Sequence, residues 1–582
     1  AISGVVNIVT RHDGADAGVP TTADVRVSAG SSVGSYANGG VIAQDHGVSV
    51  RTGSPARSAS AGISLSTLGA FVPGAQSRQV LANGSLRYVG SQMILLGTAR
   101  LDGMNLNDPV SPILRPFLAV SPGATDSTPE RVRQYTLGGT ATFQSSERWT
   151  HALTIGVDGY RLSGVSSAPM PLPSAEDSLL RAARGAADRL TVRYSGTERF
   201  GGGTSDSASV QLTFGLENST AREQTSGLGG NLAPRPQGSG STPDTPGADA
   251  GAIWWSNTGL LTQAEVAASP SLLLTGGARL EHISGPSTSG RMALLPMLGA
   301  TWVHEQGALT LKVRAAYGRG IRPARTVTRG GTWMGGHERA SLTALDPEEQ
   351  SGVEGGIDAV WGGQLGLHVT RFDQRASGLV QPVALLESAP VTGGGGPPPT
   401  GGERTRVVYQ LQNVGAIDNR GWEFQGTSTL GSLTTAATLS LVSSRVARLA
   451  TGYLGELHTG DRMLEVPART MGLSATWNDA RWSVSGSVAR AADWVNYDKV
   501  ALAAAIAADP TGQLVPTGDA LRAYWRTYEG TTRVNANASY AVRDRTWITL
   551  SAANLLNRQL GEPDNVTVVP GRTVRLGVRN TF

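Results

Sequence analysis

The residues that could perform chemistry in this chain are dispersed, not grouped at the spacings that catalysis or metal binding requires. None of the 582 residues is cysteine, which excludes disulfides, thiolate nucleophiles and Cys-ligated metal sites. The eight histidines form no His-Glu-x-x-His pair, and no Gly-Lys-Ser or Gly-Lys-Thr sequence is present for a phosphate loop. We therefore predict no enzymatic activity, no cofactor and no metal site.

The charge balance argues against a nucleic-acid partner. The chain has 49 basic and 45 acidic residues, and its formal net charge is +4. Nucleic-acid-binding proteins concentrate Lys and Arg on one face, which such a balance does not suggest. All the basic residues except Lys312 and Lys499 are arginine.

The charged residues that do follow a pattern alternate with apolar ones. In residues 572–582, Arg575 and Arg579 lie between Val574, Leu576 and Val578. An unpaired charge in a dry interior costs several kcal/mol, whereas a water-filled lumen accepts it. The residues predicted on this basis to face such a lumen are Arg87, Arg100, Asp102, Lys312, Arg314, Arg533, Arg575 and Arg579.

Three roles fit these inward residues. They could hold a domain inside the lumen through charge-assisted hydrogen bonds, or they could steer an anionic ligand. They could also be ordinary residues of a wet wall, where polar groups cost little.

Alternation every second residue recurs from end to end, as in residues 210–217, 309–318 and 532–542. We count about 22 such strand candidates in series. The longest continuous apolar run, Val500 to Ala508, is too short for a transmembrane helix and stops at Asp509 and Pro510.

The connections between strand candidates alternate in length. Tight ones include residues 144–148, 304–307 and 541–546, and the long ones are residues 104–130, 163–188, 219–250, 321–349 and 384–403. Short turns on one side and long loops on the other are typical of outer-membrane barrels. An open sheet of this size would leave edges that closure removes, which disfavours a soluble sandwich or propeller. The sequence thus predicts an all-β chain: a transmembrane antiparallel β-barrel of about 22 strands, with short periplasmic turns and long extracellular loops.

Three local features have more specific interpretations. The sequence Ser174-Ala-Glu-Asp177 resembles a helix start within the long loop at residues 163–188. Tryptophans near predicted turns suit an interfacial girdle; they are Trp149, Trp302, Trp361, Trp477 and Trp547. The terminal Phe582 resembles the signal that the outer-membrane assembly machinery reads, or it is simply a girdle residue.

Several blocks, in order along the chain, resemble the TonB-dependent outer-membrane receptors. They are residues 1–11 (AISGVVNIVTR), which resemble the last strand of the family's plug domain, then residues 295–302, 312–324, 345–356, 413–424, 553–558 and 570–573, and finally Phe582. The resemblance implies a barrel of 22 strands, filled by a plug and driven by the TonB complex. It also implies import of a large, scarce ligand such as a metal chelate, cobalamin or an oligosaccharide. We expect residues 1–15 to be the end of a plug and residues 16–582 to be the barrel.

Most of the plug and the TonB-contacting segment of the family have no counterpart here. Either the sequence is a truncated one, or a separate polypeptide closes the lumen, or the barrel is a structural part of a larger assembly. Two functional hypotheses follow: a TonB-dependent receptor integral to the bacterial outer membrane, or a scaffold barrel without active uptake. The expected partners are outer-membrane lipid, the TonB complex through a plug, the assembly machinery and other outer-membrane subunits.

Overall fold

The computed structural model describes residues 21–37, 39–109, 111–117, 127–166, 181–201, 208–226, 253–285, 288–322, 345–390, 403–508 and 516–582. The expected plug segment at residues 1–15 and the helix start at Ser174 lie outside these ranges. Among the described residues, no helix is both long and apolar enough to cross a membrane.

Twenty-two strands form one sheet. They are β1 (Thr21–Val33), β2 (Val41–Gly53), β3 (Arg57–Leu68), β4 (Gln76–Val89), β5 (Met93–Pro109), β6 (Ser127–Gln144), β7 (Trp149–Ser166), β8 (Arg181–Gly201), β9 (Ser209–Ser226), β10 (Ile253–Ser269), β11 (Leu272–Gly285), β12 (Thr288–Gln306), β13 (Leu309–Arg322), β14 (Glu348–Trp361), β15 (Leu365–Ser377), β18 (Gly415–Leu430), β19 (Leu433–Leu449), β20 (Arg469–Asn478), β21 (Trp482–Ala492), β24 (Thr531–Arg543), β25 (Thr546–Ala553) and β26 (Arg572–Thr581).

The described parts of the connections contain four further strands and three helices. The strand β16 (Val380–Pro390) pairs with β17 (Glu403–Asn413), and β22 (Trp494–Tyr497) pairs with β23 (Trp525–Tyr528). The helices are α1 (Lys499–Ala508) and two 3-10 turns, Arg115–Phe117 and Gly518–Tyr524. The apolar run at residues 500–508 is therefore a loop helix, which begins where Asp498 accepts the backbone N–H of Ala501 at 2.9 Å.

The sheet closes into a barrel because its first and last strands pair. β1 is antiparallel to both β2 and β26, with Val27 opposite Val578 on the closing side. At the loop end of this seam the Thr573 hydroxyl donates to the Ser32 hydroxyl at 3.0 Å. Every barrel strand thus has a partner on each side, which leaves no open edge. The predicted antiparallel barrel of 22 strands is confirmed.

The two ends of the barrel differ as predicted. At one end the strands are joined by short turns, such as residues 362–364, where Gly362 and Gly363 both have positive φ. At the other end the connections include residues 378–414, 450–468 and 493–530. Two of the long loops start later than predicted. The loops predicted to begin at residues 163 and 219 begin after β7 ends at Ser166 and β9 ends at Ser226. These strands keep their backbone ladder after the apolar alternation has ended.

Apolar side chains lie on the outer face of the wall. Along β9, for example, Leu212, Phe214 and Leu216 are exposed, while Gln211 and Thr213 lie on the other face. Exposed aliphatic residues on a closed cylinder match the lipid-facing band of a transmembrane barrel.

Candidate functional site

The inner face of the wall is lined by the residues that alternate with the exposed apolar set. Polar side chains there form hydrogen bonds to neighbours across the sheet, as where the Thr197 and Thr213 hydroxyls lie 3.1 Å apart. All eight residues predicted to face the lumen lie on this face. Their proposed contact with a plug stays a prediction.

Lys312 and Arg314 belong to one cluster on β13–β15. The Arg314 guanidinium donates to the Asp358 carboxylate at 3.4 Å and to the Thr370 hydroxyl at 2.5 Å. Lys312 Nζ is 4.0 Å from the same carboxylate, and His368 Nδ1 lies 3.0 Å from it. Asp358 therefore lies at the centre of three basic side chains, of which Arg314 and His368 are within hydrogen-bond distance.

Arg100, Asp102 and Arg87 have local partners. Gln79 donates to both Asp102 oxygens at 3.0 Å, and Arg100 is 3.8 Å from that carboxylate. Arg87 donates to the carbonyl oxygen of Pro55, in a short turn, at 3.3 Å. These contacts tie neighbouring strands and turns together.

The other three predicted residues have different surroundings. Arg533 donates to Glu562, a loop carboxylate, at 3.0 Å, and Arg579 donates to Asp24 across the β1–β26 seam at 2.6 Å. Arg575 Nε is buried without a hydrogen-bond partner in the part of the chain that the structure describes.

A second inner-wall cluster was missed by the sequence reasoning. Arg279 lies 3.0 Å from Glu281 and 3.6 Å from Glu217, which in turn is 3.9 Å from Arg193. Asn257 donates to Glu281, which is almost fully buried. Each residue is at an inward position of an alternating strand, so the phase of the alternation could have identified it.

Three connections at the long-loop end pack into one unit, which we call the loop cluster. It comprises residues 450–468, the described part of residues 493–530, and residues 554–571. Trp494 Nε1 donates to the carbonyl oxygen of Pro563 at 2.9 Å, and His458 Nε2 is 2.6 Å from Asp519. Arg522 donates to the carbonyl oxygen of Glu456 at 2.8 Å.

The loop cluster has apolar cores of its own. Val414, Ile417 and Val446, at the ends of the neighbouring strands, pack with Leu457 and Met463, and all five are buried. Elsewhere in the cluster a second group is buried, consisting of Leu502, Ala503, Ile506, Leu521 and Val566. These segments are folded structure and not loose connections.

A buried ion pair joins two segments of the loop cluster. Lys499 Nζ donates to Asp564 Oδ2 at 2.7 Å, and the Asp564 side chain is 2% exposed. Asp564 also accepts the backbone N–H groups of Val566 at 3.0 Å and Thr567 at 2.7 Å. Burial alone raises the pKa of Asp564, but Lys499 and the two amides outweigh it and hold the pKa below its usual value.

Two further groups of the loop cluster have shifted pKa values. Hydrogen bonds from the Arg522 guanidinium hold the pKa of Asp461 below its usual value. Burial, together with the charges of Asp498 and Asp564, raises the pKa of Tyr528 to about 12. The Tyr528 hydroxyl donates to the carbonyl oxygen of Tyr497 at 2.7 Å.

No group of three or more His, Cys, Asp or Glu residues is arranged to hold a metal ion in the described ranges. His368 and His458 each lie beside a single carboxylate. The described charged side chains instead form ion pairs along the inner wall and within the packed loops.

The aromatic residues at the short-turn end divide between the two faces. Trp149, Trp302, Trp361 and Trp477 lie on the outer face near the ends of their strands, as a girdle requires. The expectation is wrong for Trp547, which alternates with the exposed Ile548 and Leu550 and so faces inward. The Arg579 guanidinium carbon lies 5.5 Å from the centre of its ring.

Phe582 is on the outer face at the same end. Its side chain is 63% exposed, and its backbone N–H donates to the carbonyl oxygen of Ala23 at 2.8 Å. Its role as an assembly signal stays a prediction.

Comparison with known proteins finds one matching family model and many solved structures with a similar fold. The family model described as "TonB dependent receptor-like, beta-barrel" matches residues 76–580. The siderophore receptor PirA from Acinetobacter baumannii is 11% identical, with 97% of this chain and 80% of that chain covered and a TM-score of 0.70. The ferripyoverdine receptor of Pseudomonas aeruginosa is 14% identical, with 97% and 72% covered and a TM-score of 0.66.

The copper transporter OprC is 12% identical, with 98% of this chain and 81% of that chain covered and a TM-score of 0.63. No curated protein sequence matches the chain. At these identities the structural likeness establishes the fold alone, while the family match covers most of the chain. The chain belongs to the TonB-dependent receptor family, as an integral outer-membrane barrel of the receptor and transporter type.

Proposed function

We propose that this barrel imports a ligand too large for general porins, with a metal chelate as the first class to test and cobalamin or an oligosaccharide next. It performs no bond-making chemistry. The observation that carries the proposal is a closed cylinder of 22 strands with a hydrophilic, charge-paired inner wall and folded loops at one end. Siderophore and copper proteins among the similar structures favour the metal chelate class.

The width of the barrel calls for a plug. Outer-membrane transporters with barrels of 22 strands have a lumen that is closed by a plug. We propose that residues 1–15 are the end of that plug, that residues 16–582 are the barrel, and that the TonB complex acts through the plug. Among the eight inward residues, Arg100 is the strongest candidate for a plug contact, because its side chain is 62% exposed and its nearest carboxylate oxygen is 3.8 Å away. Arg314, Arg533 and Arg579 are weaker candidates, since each already donates to a carboxylate.

The proposal is tested by uptake in cells that express or lack the protein. The probes are 55Fe-loaded hydroxamate and catecholate chelates, each measured with and without a protonophore. We expect accumulation of at least one chelate to depend on both the protein and the energised membrane. Equal accumulation of both chelates in the two strains would overturn the metal chelate assignment. Stoichiometric recovery with another outer-membrane protein, without uptake of chelate, cobalamin or oligosaccharide, would favour a scaffold barrel.

Phe582 is proposed to act in assembly. Deleting it should lower the amount of heat-modifiable barrel in the outer membrane, because an exposed terminal aromatic on the outer face is available to the assembly machinery. Phe582→Tyr, which keeps the ring, is the matched control. Unchanged amounts of folded barrel after deletion would leave Phe582 as a girdle residue only.

A further inference from the structure

The outer face of β4–β9 changes character near the long-loop end. Leu137, Val157 and Leu190 face outward in one lateral row, and the next row toward the loops contains Tyr135 and Asp188. From there on, charged side chains appear among the outward positions. The boundary marks the edge of the apolar band, where lipid headgroups begin.

A glycine makes room for the first polar contact above this boundary. The Tyr135 hydroxyl donates to Asp188 across the intervening strand, over Gly159. A Cβ at Gly159 would lie 2.7 Å from the Tyr135 oxygen and 2.8 Å from Asp188 Oδ1. Arg161 adds a bidentate contact to Asp188 at 2.8 and 3.0 Å. The outer face here is thus a built polar surface.

Arginine dominates this surface, which we call the arginine patch. Its members are Arg78 on β4, Arg131 and Arg133 on β6, Arg161 on β7 and Arg222 on β9. Asp188 is the one acidic residue among the described outward positions of these rows, which leaves an excess of four positive charges.

Three members of the patch lack a carboxylate partner in the described ranges. Arg133 donates to the Asn105 side chain at 3.3 Å and to backbone oxygens, while Arg78 and Arg131 are exposed in one row on either side of Asn105. The guanidinium group suits bidentate binding of phosphate, and those of Arg78 and Arg131 have no hydrogen-bond partner among the described residues.

The outer face of β15 and β18 is charged at the same end, but two of its three arginines are paired with aspartates. Arg375 donates to Asp418 at 2.7 and 3.0 Å, and Arg420 donates to Asp373 at 3.2 Å. Arg420 also lies 3.8 Å from Asp418. The arginine patch is therefore a local property of β4–β9.

We propose that the arginine patch binds the phosphate groups of a phosphorylated glycolipid in the outer leaflet of the outer membrane. The patch lies on the convex, lipid-facing wall, directly beyond an exposed apolar row, and Trp254 is exposed beside Arg222. A lipid bound there places its acyl chains against the apolar row and its phosphates against the guanidinium groups. The proposal depends on the membrane orientation of the barrel and is independent of the imported ligand.

The first test needs no variant. The purified barrel in detergent is titrated with bis-phosphorylated lipid A, with dephosphorylated lipid A, with phosphatidylglycerol and with inorganic phosphate, and bound lipid is counted by native mass spectrometry. We expect the phosphorylated glycolipid to bind at least tenfold more tightly than the other three. Equal binding of phosphorylated and dephosphorylated lipid A would overturn the proposal, and preference for phosphatidylglycerol would assign the patch to a phospholipid instead.

The second test compares two triple variants. Arg78→Gln, Arg131→Gln and Arg133→Gln together should weaken binding of bis-phosphorylated lipid A by roughly a hundredfold, since each arginine near an anionic lipid surface contributes about a factor of five. The matched control on the outer face of β15 and β18 is Arg371→Gln, Arg375→Gln and Arg420→Gln, which removes two paired arginines and Arg371, whose guanidinium donates to the carbonyl oxygen of Gly421. It should change binding less than about threefold. Heat modifiability on a gel verifies that both variants form barrels.

Equal losses in the two triple variants would mean that total charge matters and not the patch. Unchanged binding in the first variant would overturn the assignment of the site. Specific recovery of the wild type with another outer-membrane protein, lost in the first variant while lipid A binding persists, would assign the patch to a protein partner. None of these results tests the proposed uptake of a metal chelate, which is measured separately.

Discussion

The barrel wall and the loop cluster place the same kinds of side chain in opposite environments. On the wall, Leu216 is 52% exposed and Leu260 lies beside it on the next strand, also exposed. In the loop cluster, Leu457 and Leu502 are almost fully buried. The wall is stabilised by its backbone ladder and by lipid, whereas the loop cluster needs a core as a water-soluble protein does. Apolar side chains of one chain are thus exposed where lipid surrounds them and buried where water does.

Ion pairs show the same division. The Arg579–Asp24 pair on the wall and the Lys499–Asp564 pair in the loop cluster have nearly equal lengths, 2.6 and 2.7 Å. The Arg579 side chain is 52% exposed, while Asp564 is enclosed. Equal geometry should therefore have unequal energetic consequences.

The largest effect is expected from breaking the enclosed pair. Lys499→Met leaves Asp564 buried without its cation, and loss of one partner of a buried pair typically costs about 3–5 kcal/mol. Hydrogen exchange of residues 554–571 should accelerate by at least about a hundredfold, while exchange in β5–β9 stays unchanged.

The double variant Lys499→Met with Asp564→Asn is the control. It removes the unpaired charge and should recover much of the lost protection if the pair is the cause. Wild-type protection in the single variant would show that the loop cluster is not held by this contact.

The next effect separates the two faces of the wall. Leu216→Arg places a charge on the lipid-facing side and should destabilise the barrel by about 2–4 kcal/mol. Thr213→Arg, on the inner face of the same strand, should cost far less because a lumen accepts polar groups. Denaturant unfolding of the barrel in lipid vesicles measures both. Equal costs would contradict the assignment of the faces.

A pH dependence should distinguish the loop cluster from the wall. Asp461 and Asp564 have pKa values below those of the unfolded chain, so they stabilise the cluster above about pH 4 and lose that effect as the pH falls through their lowered values. Tyr528, with its pKa raised to about 12, stabilises it below about pH 10, and this is lost as the pH rises toward 12.

Tryptophan fluorescence of the loop cluster should therefore change at both extremes while the far-ultraviolet β signal of the wall persists. Tyr528→Phe should weaken the alkaline change and leave the acid change intact. Simultaneous loss of both signals at one pH would mean that the two regions unfold together.

The wall could be predicted from sequence because each residue's face depends on its neighbours two positions away. That rule placed Leu212, Phe214 and Leu216 on the outer face, and Arg575 and Arg579 of β26 on the inner face. Applied consistently, it would also have placed Trp547 inward, since Ile548 and Leu550 follow it. Proximity to a turn indicates how far along the barrel axis a residue lies, but not whether its side chain faces lipid or the lumen.

Two features escaped the sequence because no local pattern encodes them. The outer face turns polar beyond the apolar band, so the alternation ends at about Leu137 although β6 starts at Ser127. In the loop cluster, the partner of Lys499 is Asp564, on another connection of the barrel. Only the closed barrel brings those connections together, so spacing along the chain does not reveal the contact.

The smallest effect is expected at the seam of the wall. Arg579→Gln removes a 2.6 Å ion pair, yet it should destabilise the barrel by less than about 1 kcal/mol, because exposed pairs contribute little. Asp24 keeps a hydrogen bond from the Thr581 hydroxyl at 3.1 Å, and the β1–β26 ladder still holds the seam from Asp24 to Val33. Denaturant unfolding of the barrel in lipid vesicles gives the cost for comparison with Leu216→Arg. A cost of several kcal/mol would mean that the inner wall at the seam excludes water, as it would beneath a tightly packed plug. The Arg579–Asp24 pair would then behave as a buried pair, like Lys499–Asp564.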